Sequence, residues 1–549
     1  MGAMSVLRVR RPVVAFALLA GAFLILYWAL QSKSYVYDSC GYSLSIKYGN
    51  DLFHPHHLIY NYVMHWIYVV VSRFSSLEAM TVASACNGLA MVSNVLLVGF
   101  LCRRLTGQLS LSLATATFYG VSYAPLFVAT SVEVYPWNIL FDLLGFSILA
   151  RKGAPTAGWA WLVGMLAGLA GLFHQTAVFA ALALLGLLIW GRARAGVCAL
   201  YATAAALTCG LPYLAVAAQA GLATPRGLVQ YLLAYAMSPE YHAGVWGHGF
   251  ALQRVPMALY GLVTTFAYPK MEYLAPFTKM GSWGLNYLSL RALLLLGCLL
   301  ALVGIALLGG IRLFCRTGRR SEPEKPADRP IILSLWVWLI SHSAFTLWWN
   351  ADNLEFWLMS LAPFLILFSY RVNQCTRPIY STMERGLLLG LFAVVNVGFR
   401  ILPDSQESEC PVYQSVAALG CAQLGDGDWF IGVMPEMEPC VRYRCGRALQ
   451  FHSLSYEFYD TPAQKEAVRR AYAQSLATAV REHQVYLQEE ELTQAEPSAS
   501  ARWTPPDAQA MYAPYLVGAQ VVSSYERNGQ RFRLLRLAQP QVLGVPSGN

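Results

Sequence analysis

Four acidic residues stand beside long apolar runs at widely separated points of the chain. They are Asp38 in "YVYDSCGY", Glu133 in "TSVEVYP", and Asp352 with Glu355 in "WWNADNLEFW". A carboxylate next to apolar segments is costly to keep charged, so each calls for a reason. One reason is chemical: a carboxylate can serve as a general acid or base. The other is structural, since acids are favoured at helix starts by the helix dipole. Glu133 lies just before Pro136, a residue suited to a first helical turn, and Asp352 and Glu355 flank the start of another apolar run. Asp38 has no such clear capping role, because a glycine-containing segment follows it. Asp51, in "GND", reads as a turn residue.

The histidines form a second group. "FHPHHLIY" carries His54, His56 and His57, followed by Tyr60. The spacing is not helical and brings no acid ligand, so a loop role or contact with an anionic group is expected before a closed metal site. His174, in "GLFHQTAVF", divides two apolar runs. It is either a buried histidine bonded to a neighbouring carbonyl or a functional one. "GDGDWF" (Asp426, Asp428) imitates a metal-binding Asp-x-Asp, but it precedes a strand-like run and is expected to be a turn. No phosphate-binding P-loop, dinucleotide fingerprint or Gly-x-Ser-x-Gly is present.

The elements that must position these residues are membrane spans. Of the 549 residues 56% are hydrophobic and 13% charged, against about 25% charged in a soluble domain. Eleven runs are long and apolar enough to be candidates: 13–30, 80–101, 108–129, 136–150, 158–173, 175–190, 196–217, 287–311, 331–349, 354–370 and 386–401. The first follows Arg8, Arg10 and Arg11 and reads as an uncleaved anchor with a cytoplasmic N-terminus. The run at 58–73 is left out and expected to be a helix in the membrane interface, with Asn61 and His65 on one face. Every basic cluster then falls on one side, as the positive-inside rule requires. The net charge of +9 therefore needs no nucleic-acid partner. The opposite, extracytoplasmic face receives residues 31–79, the turn at 130–135, the long loop 218–286, the turn at 349–354 and everything after 402. In that loop "ALQRVPMALYGLVTTFAY" could dip back as a helical hairpin.

The expected architecture is a mainly α, polytopic membrane protein of about eleven spans (1–401) with a small soluble α/β domain (402–549). In the tail, "PAQKEAVRRAYAQSLATAVREHQ" is helical in period, and Asn528–Gly529 between two alternating runs signals a hairpin. Eight of the twelve cysteines are scattered through residues 1–400. Cys410, Cys421, Cys440 and Cys445 cluster in the tail and suit disulfides in an oxidising compartment.

The order of parts resembles the membrane glycosyltransferases of the GT-C fold, most of all the bacterial protein-O-mannosyltransferase-like family. The matching residues are Asp38 in the first outer loop, His54–Pro55 with Tyr60, and Glu133–Val134–Tyr135 at the second outer turn, over roughly residues 10 to 190. "HPHH" stands where the family has a Gly-containing segment after His-Pro. The resemblance implies a polyprenyl-phosphate-linked sugar as donor, catalysis on the outer face of a bacterial inner or plasma membrane, and Asp38 as general base with inversion at the anomeric carbon. Glu133 is its catalytic companion, expected to face Asp38 across a lipid-fed cavity. His54, His56, His57, Tyr60, Tyr135, His174, Arg254, Lys270, Asp352 and Glu355 are expected to contact substrate. Arg254, Lys270, Lys279 or a protonated histidine would stabilise the departing phosphate. The acceptor, whether protein, lipid or glycan, stays open, and a divalent metal is left open without being indicated.

Two other readings compete. A lipid-linked polysaccharide polymerase or ligase shares the outer-face chemistry but leans on a large arginine-bearing loop. A transporter or flippase predicts inverted repeats or spans broken at matching positions, and the sequence has neither.

Overall fold

The computed structural model describes residues 2–32, 37–151, 156–233, 252, 254–270, 290–315, 326–375, 379–406, 421–431, 438–446, 450–452, 462–489, 492, 505–527 and 530–539. They belong to two compact units. One comprises Met1–Ser32 with Gly49–Gln406, the other Lys33–Tyr48 with Glu407–Asn549. The division falls after residue 406 rather than 401, and residues 33–48 of the first outer loop go with the tail. Lys279, Cys410 and the Asn528–Gly529 turn lie outside the described residues.

The first unit is helical because its runs are apolar throughout, so the backbone must satisfy its own hydrogen bonds. Its helices are α1 (Gly2–Ala29), α3 (Tyr60–Val71), α4 (Ala79–Thr106), α5 (Leu109–Val121), α6 (Tyr123–Thr130), α7 (Tyr135–Leu149), α8 (Ala157–Phe173), α9 (Val178–Trp190), α10 (Ala195–Gln219) and α11 (Pro225–Leu232). They continue with α12 (Arg254–Phe266), α13 (Leu290–Cys315), α14 (Arg329–Trp349), α15 (Leu354–Asn373), α16 (Thr382–Ala393), a π-helical stretch Val394–Ile401, and α17 (Leu402–Gln406). The described part of each of the eleven expected runs is helical, with the run 108–129 broken at Ser122. Among the described residues seven helices are long and apolar enough to cross a membrane, or eight if the bent pair α5–α6 counts as one span. The segments Ala157–Phe173 and Gln175–Trp190 are apolar but shorter. The chain is a polytopic integral membrane protein.

The departures from straight spans have physical compensation. Between α5 and α6 the axis turns by 60°, which frees backbone groups that a membrane cannot solvate. Asn396 of the π-helical stretch donates through Nδ2 to Val121 O (2.8 Å) and to Phe266 O (2.7 Å), satisfying the carbonyl at the bend. The 12-residue α3 is about 18 Å long at 1.5 Å per residue, too short for a ~30 Å core. It buries Tyr60, Asn61 and Met64 and leaves Tyr62, Trp66 and Val70 exposed, an apolar stripe at four-residue spacing that suits an interfacial helix. Asn61 is thus on the inward side. Of the proposed hairpin around 251–268, the described part is the single helix α12.

The second unit contains α2 (Tyr37–Tyr48), α18 (Glu438–Cys445), α19 (Pro462–Glu482), α20 (Pro505–Leu516) and five strands. These are β1 (Trp429–Ile431), β2 (Gln450–His452), β3 (Val485–Gln488), β4 (Gln520–Arg527) and β5 (Gln530–Arg536), ordered β2-β1-β3-β5-β4. β1 runs parallel to β2 and β3, while β5 pairs antiparallel with β3 and β4. Trp429, Ile431, Val485 and Leu487 of the sheet pack with Leu476 and Val480 of α19 and Tyr512 of α20.

The disulfide expectation needs a correction. Cys421 pairs with Cys445 inside the tail, but Cys440 pairs with Cys40, 400 residues away on α2. Alongside, Lys47 of α2 donates to Tyr443 O (3.1 Å) and sits over the Tyr443 ring at 4.6 Å. The tail cysteines are therefore not a closed set; α2 is an element of this unit. "GDGDWF" is a turn. Gly427 has φ 87°, and Asp428 accepts from Gly425 N (2.7 Å) and Gln484 N (3.0 Å).

Candidate active site

Within the membrane unit the chain leaves helical geometry between α6 and α7, at residues 131–134. This turn is buried, with Glu133 only 1% exposed. Non-helical backbone packed among spans must find donors for its carbonyls, and α4 supplies them from one face. Ser84 Oγ donates to Thr130 O (3.2 Å), Asn87 Nδ2 to Ser131 O (3.0 Å) and Glu133 O (2.7 Å), and Asn94 Nδ2 to Pro136 O (2.8 Å). Asn87 also meets the Tyr60 hydroxyl (3.1 Å from Nδ2), and its Oδ1 accepts from Trp137 Nε1 (3.0 Å). Pro136 takes the first turn of α7. Glu133 lies ahead of the N-cap, Val134, so it is not a first-turn charge.

The histidine loop is clamped to the α8–α9 junction. Pro55 O accepts from Gln175 Nε2 (2.8 Å) and from the Tyr213 hydroxyl (2.7 Å), and His56 O accepts from Gln175 N (3.0 Å). The imidazoles of His54 and His57 stack at 4.5 Å, and His56 stands 6.4 Å from His174. His174 lies 4.8 Å from Tyr135 and 6.4 Å from Phe356, between centroids. His174 Nδ1 is 2.7 Å from the Thr176 hydroxyl, a side-chain partner rather than a carbonyl. His54, His56, His57, His174, Tyr135 and Phe356 form one imidazole and aromatic cluster. Among the described residues no group of three His, Cys, Asp or Glu could hold a metal ion.

Burial governs the protonation of this cluster. It holds His54 below the ordinary imidazole value. It pushes His56 down to about 3, with His174 and His54 adding repulsion, and His57 well below 6.5. His174 also falls to about 3, chiefly from burial, then from His342 and His54. The cluster is therefore neutral at pH 7. Burial also holds the Tyr60 phenol well above 10, opposed by the Asn87 hydrogen bond and reinforced by the charge of Glu133.

The remaining expected residues occupy helix ends and an ion-pair network. Arg254, opening α12, donates to Leu347 O (3.3 Å) and Trp348 O at the end of α14. Lys270 is buried and paired with Asp404 (3.4 Å), which Arg400 also holds (2.9 Å). Glu355 is in the first turn of α15 and Asp352 just ahead of its Asn353 cap. Asp38 is exposed and occupies the first turn of α2 in the other unit, so it does have the dipole role the sequence did not suggest.

Sequence reasoning missed Asn87, Asn94 and Gln175. The available signal was the spacing Ser84, Asn87, Asn94 in an otherwise apolar run, three and seven residues apart on one helical face.

No protein-family model matches the chain, and no curated protein matches it by sequence. Among solved structures it is similar to the Archaeoglobus fulgidus oligosaccharyltransferase in its apo form. That match has 13% identity and a TM-score of 0.47, covering 97% of this chain and 74% of that one. It is also similar to ArnT from Cupriavidus metallidurans bound to undecaprenyl phosphate, at 12% identity and a TM-score of 0.43, covering 95% and 97%. A third similar structure is the archaeal oligosaccharyltransferase AglB with an inhibitory peptide and a dolichol-phosphate, at 12% identity and a TM-score of 0.45, covering 95% and 74%.

Proposed function

We propose that the chain is a GT-C-type membrane glycosyltransferase that moves a sugar from a polyprenyl-phosphate donor to an acceptor hydroxyl on the extracytoplasmic face. The observation that supports this most is the pairing of a buried carboxylate, Glu133, on an Asn87-pinned turn with a neutral imidazole and phenol cluster in the same apolar unit. A lipid-borne, anionic, sugar-carrying substrate needs those three things: an apolar surround, hydrogen-bond donors for phosphate, and carboxylates for the sugar.

In the proposed step the acceptor oxygen attacks the anomeric carbon as the bond from that carbon to the phosphate oxygen breaks. Asp38 takes the hydroxyl proton, and polyprenyl phosphate departs with the electron pair. A single displacement inverts the anomeric centre. Glu133 stabilises the oxocarbenium-like transition state. Neutral His54, His56, His57 and His174 donate N–H to the phosphate, with the Tyr60 and Tyr135 hydroxyls beside them.

The test is donor consumption. Full-length protein in lipid nanodiscs is given a labelled polyprenyl-phosphate sugar and hydroxyl acceptors, and free polyprenyl phosphate is measured. Release that vanishes in Asp38→Asn supports the reading. Transfer persisting near the wild-type rate in that variant removes Asp38 as base. A donor left uncleaved by the wild type but moved across the bilayer would favour the transporter instead.

A further inference from the structure

A second feature of the membrane unit lies at its arginine-rich end, among α1, α4, α7, α9 and α14. There a cavity of about 1970 Å³ is lined by the apolar Phe16, Leu97 and Phe100 together with Arg103, Arg104, Arg151, Arg192 and Arg329. Pockets for small ligands run to roughly 300–1,000 Å³, so this one has room for something larger. Asp328 is the one acid in the lining, and Arg104 already holds it at 2.7 Å. Arg151 stacks over Trp159. Arg103, Arg192 and Arg329 have no acidic partner among the described residues, so the cavity carries a clear positive excess.

A second observation is conformational. Arg192 takes the left-handed C′ position (φ 59°) of the Schellman end of α9, with Arg192 N donating to Ile189 O (3.0 Å) and Ala193 N to Leu188 O (2.9 Å), so the backbone that carries this arginine is fixed at the cavity.

We propose that this cavity binds an anionic phospholipid of the adjoining leaflet, its phosphate on Arg103, Arg192 and Arg329 and its acyl chains along Phe16, Leu97 and Phe100. Charge complementarity selects an anion, and the apolar wall selects one that carries hydrocarbon rather than free phosphate. Basic pockets between spans are of the type that takes acidic headgroups. The site stands apart from Glu133 and the histidine cluster in residues and chemistry, and it does not depend on the sugar-transfer reading.

The test uses the full-length protein, delipidated and offered dioleoylphosphatidylglycerol or dioleoylphosphatidylcholine, with retained lipid counted by native mass spectrometry. The wild type is expected to keep phosphatidylglycerol with a preference of at least about 10-fold. The triple variant Arg103→Gln, Arg192→Gln, Arg329→Gln should weaken retention by roughly 100-fold. Because removing arginines could disturb insertion, Leu97→Trp keeps every charge and fills the apolar wall; it too should lose the lipid. Equal retention of the two lipids would overturn the proposal. So would unchanged binding in Leu97→Trp, displacement of the lipid by inorganic phosphate, or polyprenyl phosphate being retained in preference to phosphatidylglycerol.

Discussion

Glu133 is buried in a turn whose carbonyls are held by Ser84, Asn87 and Asn94 of one membrane helix, whereas Asp38 is exposed in the first turn of a helix tied by Cys40–Cys440 into the other unit. The two acids look alike in sequence, each next to an apolar run. Their positions are set by different means: Glu133 by hydrogen bonds local to the spans, Asp38 by the folding of the tail. Perturbing either means of support should therefore separate the two residues experimentally.

The largest effect is expected from the exposed acid. Asp38→Asn removes the proposed base and should lower kcat by roughly 10²–10⁴-fold. It should lower the thermal midpoint only slightly, by the loss of an exposed first-turn charge worth about 0.3–1 kcal/mol. Glu133→Gln, in contrast, alters a buried group and should change both activity and stability. If both variants behaved alike in the melting curve, the contrast between them would be wrong.

Next comes the tie itself. Cys40→Ser should destabilise the tail unit by about 2–5 kcal/mol, read as a lower first transition in a thermal melt. Activity should fall with it, while the spans keep their own transition. Cys421→Ser removes the disulfide that does not reach α2 and should leave more activity at equal loss of tail stability.

On the other side, Asn87→Ala leaves the carbonyls of Ser131 and Glu133 without their donor. The cost should be on the order of 1–3 kcal/mol, seen in the transition of the spans and not of the tail. Tyr60 and Trp137 lose the same partner, so the substitution should also alter the environment of Trp137, measurable in its fluorescence.

These contrasts mark how far the sequence could be read. Hydropathy found each of the eleven runs because apolar length is a local property, and "GND" and "GDGD" were readable as turns because their residue types demand one; Asp51 has φ 48°. The helix α2 was not readable. "YDSCGYSLSIKY" lacks a 3.6-residue apolar stripe, and what fixes it is a cysteine 400 residues away. Asn87 was visible as a polar residue in an apolar helix, but its partners are the turn 44 and 46 residues further on. Bonds made between distant segments leave only half their pattern at each end.

A last contrast separates the histidine cluster from Asp38 by pH. Unfolded, each imidazole takes its proton near 6.5; folded, His56 and His174 do so only near 3, because burial disfavours the cation. Between those values the unfolded chain binds the extra protons. Stability of the membrane unit is thus fully present above about pH 6.5 and is lost as pH falls toward 3, by at most about 1.4 kcal/mol per pH unit for each histidine. A phosphate docked against these rings favours their charged form and raises their values. Donor binding should then take up protons and tighten as pH drops from about 6 toward 4, below the range in which the rings donate as neutral imidazoles. His56→Gln, which keeps a donor but cannot titrate, should flatten that dependence while leaving the tail transition where it was. A donor affinity independent of pH in the wild type would place the lipid phosphate away from the histidines and return them to a purely structural role in clamping the loop to Gln175.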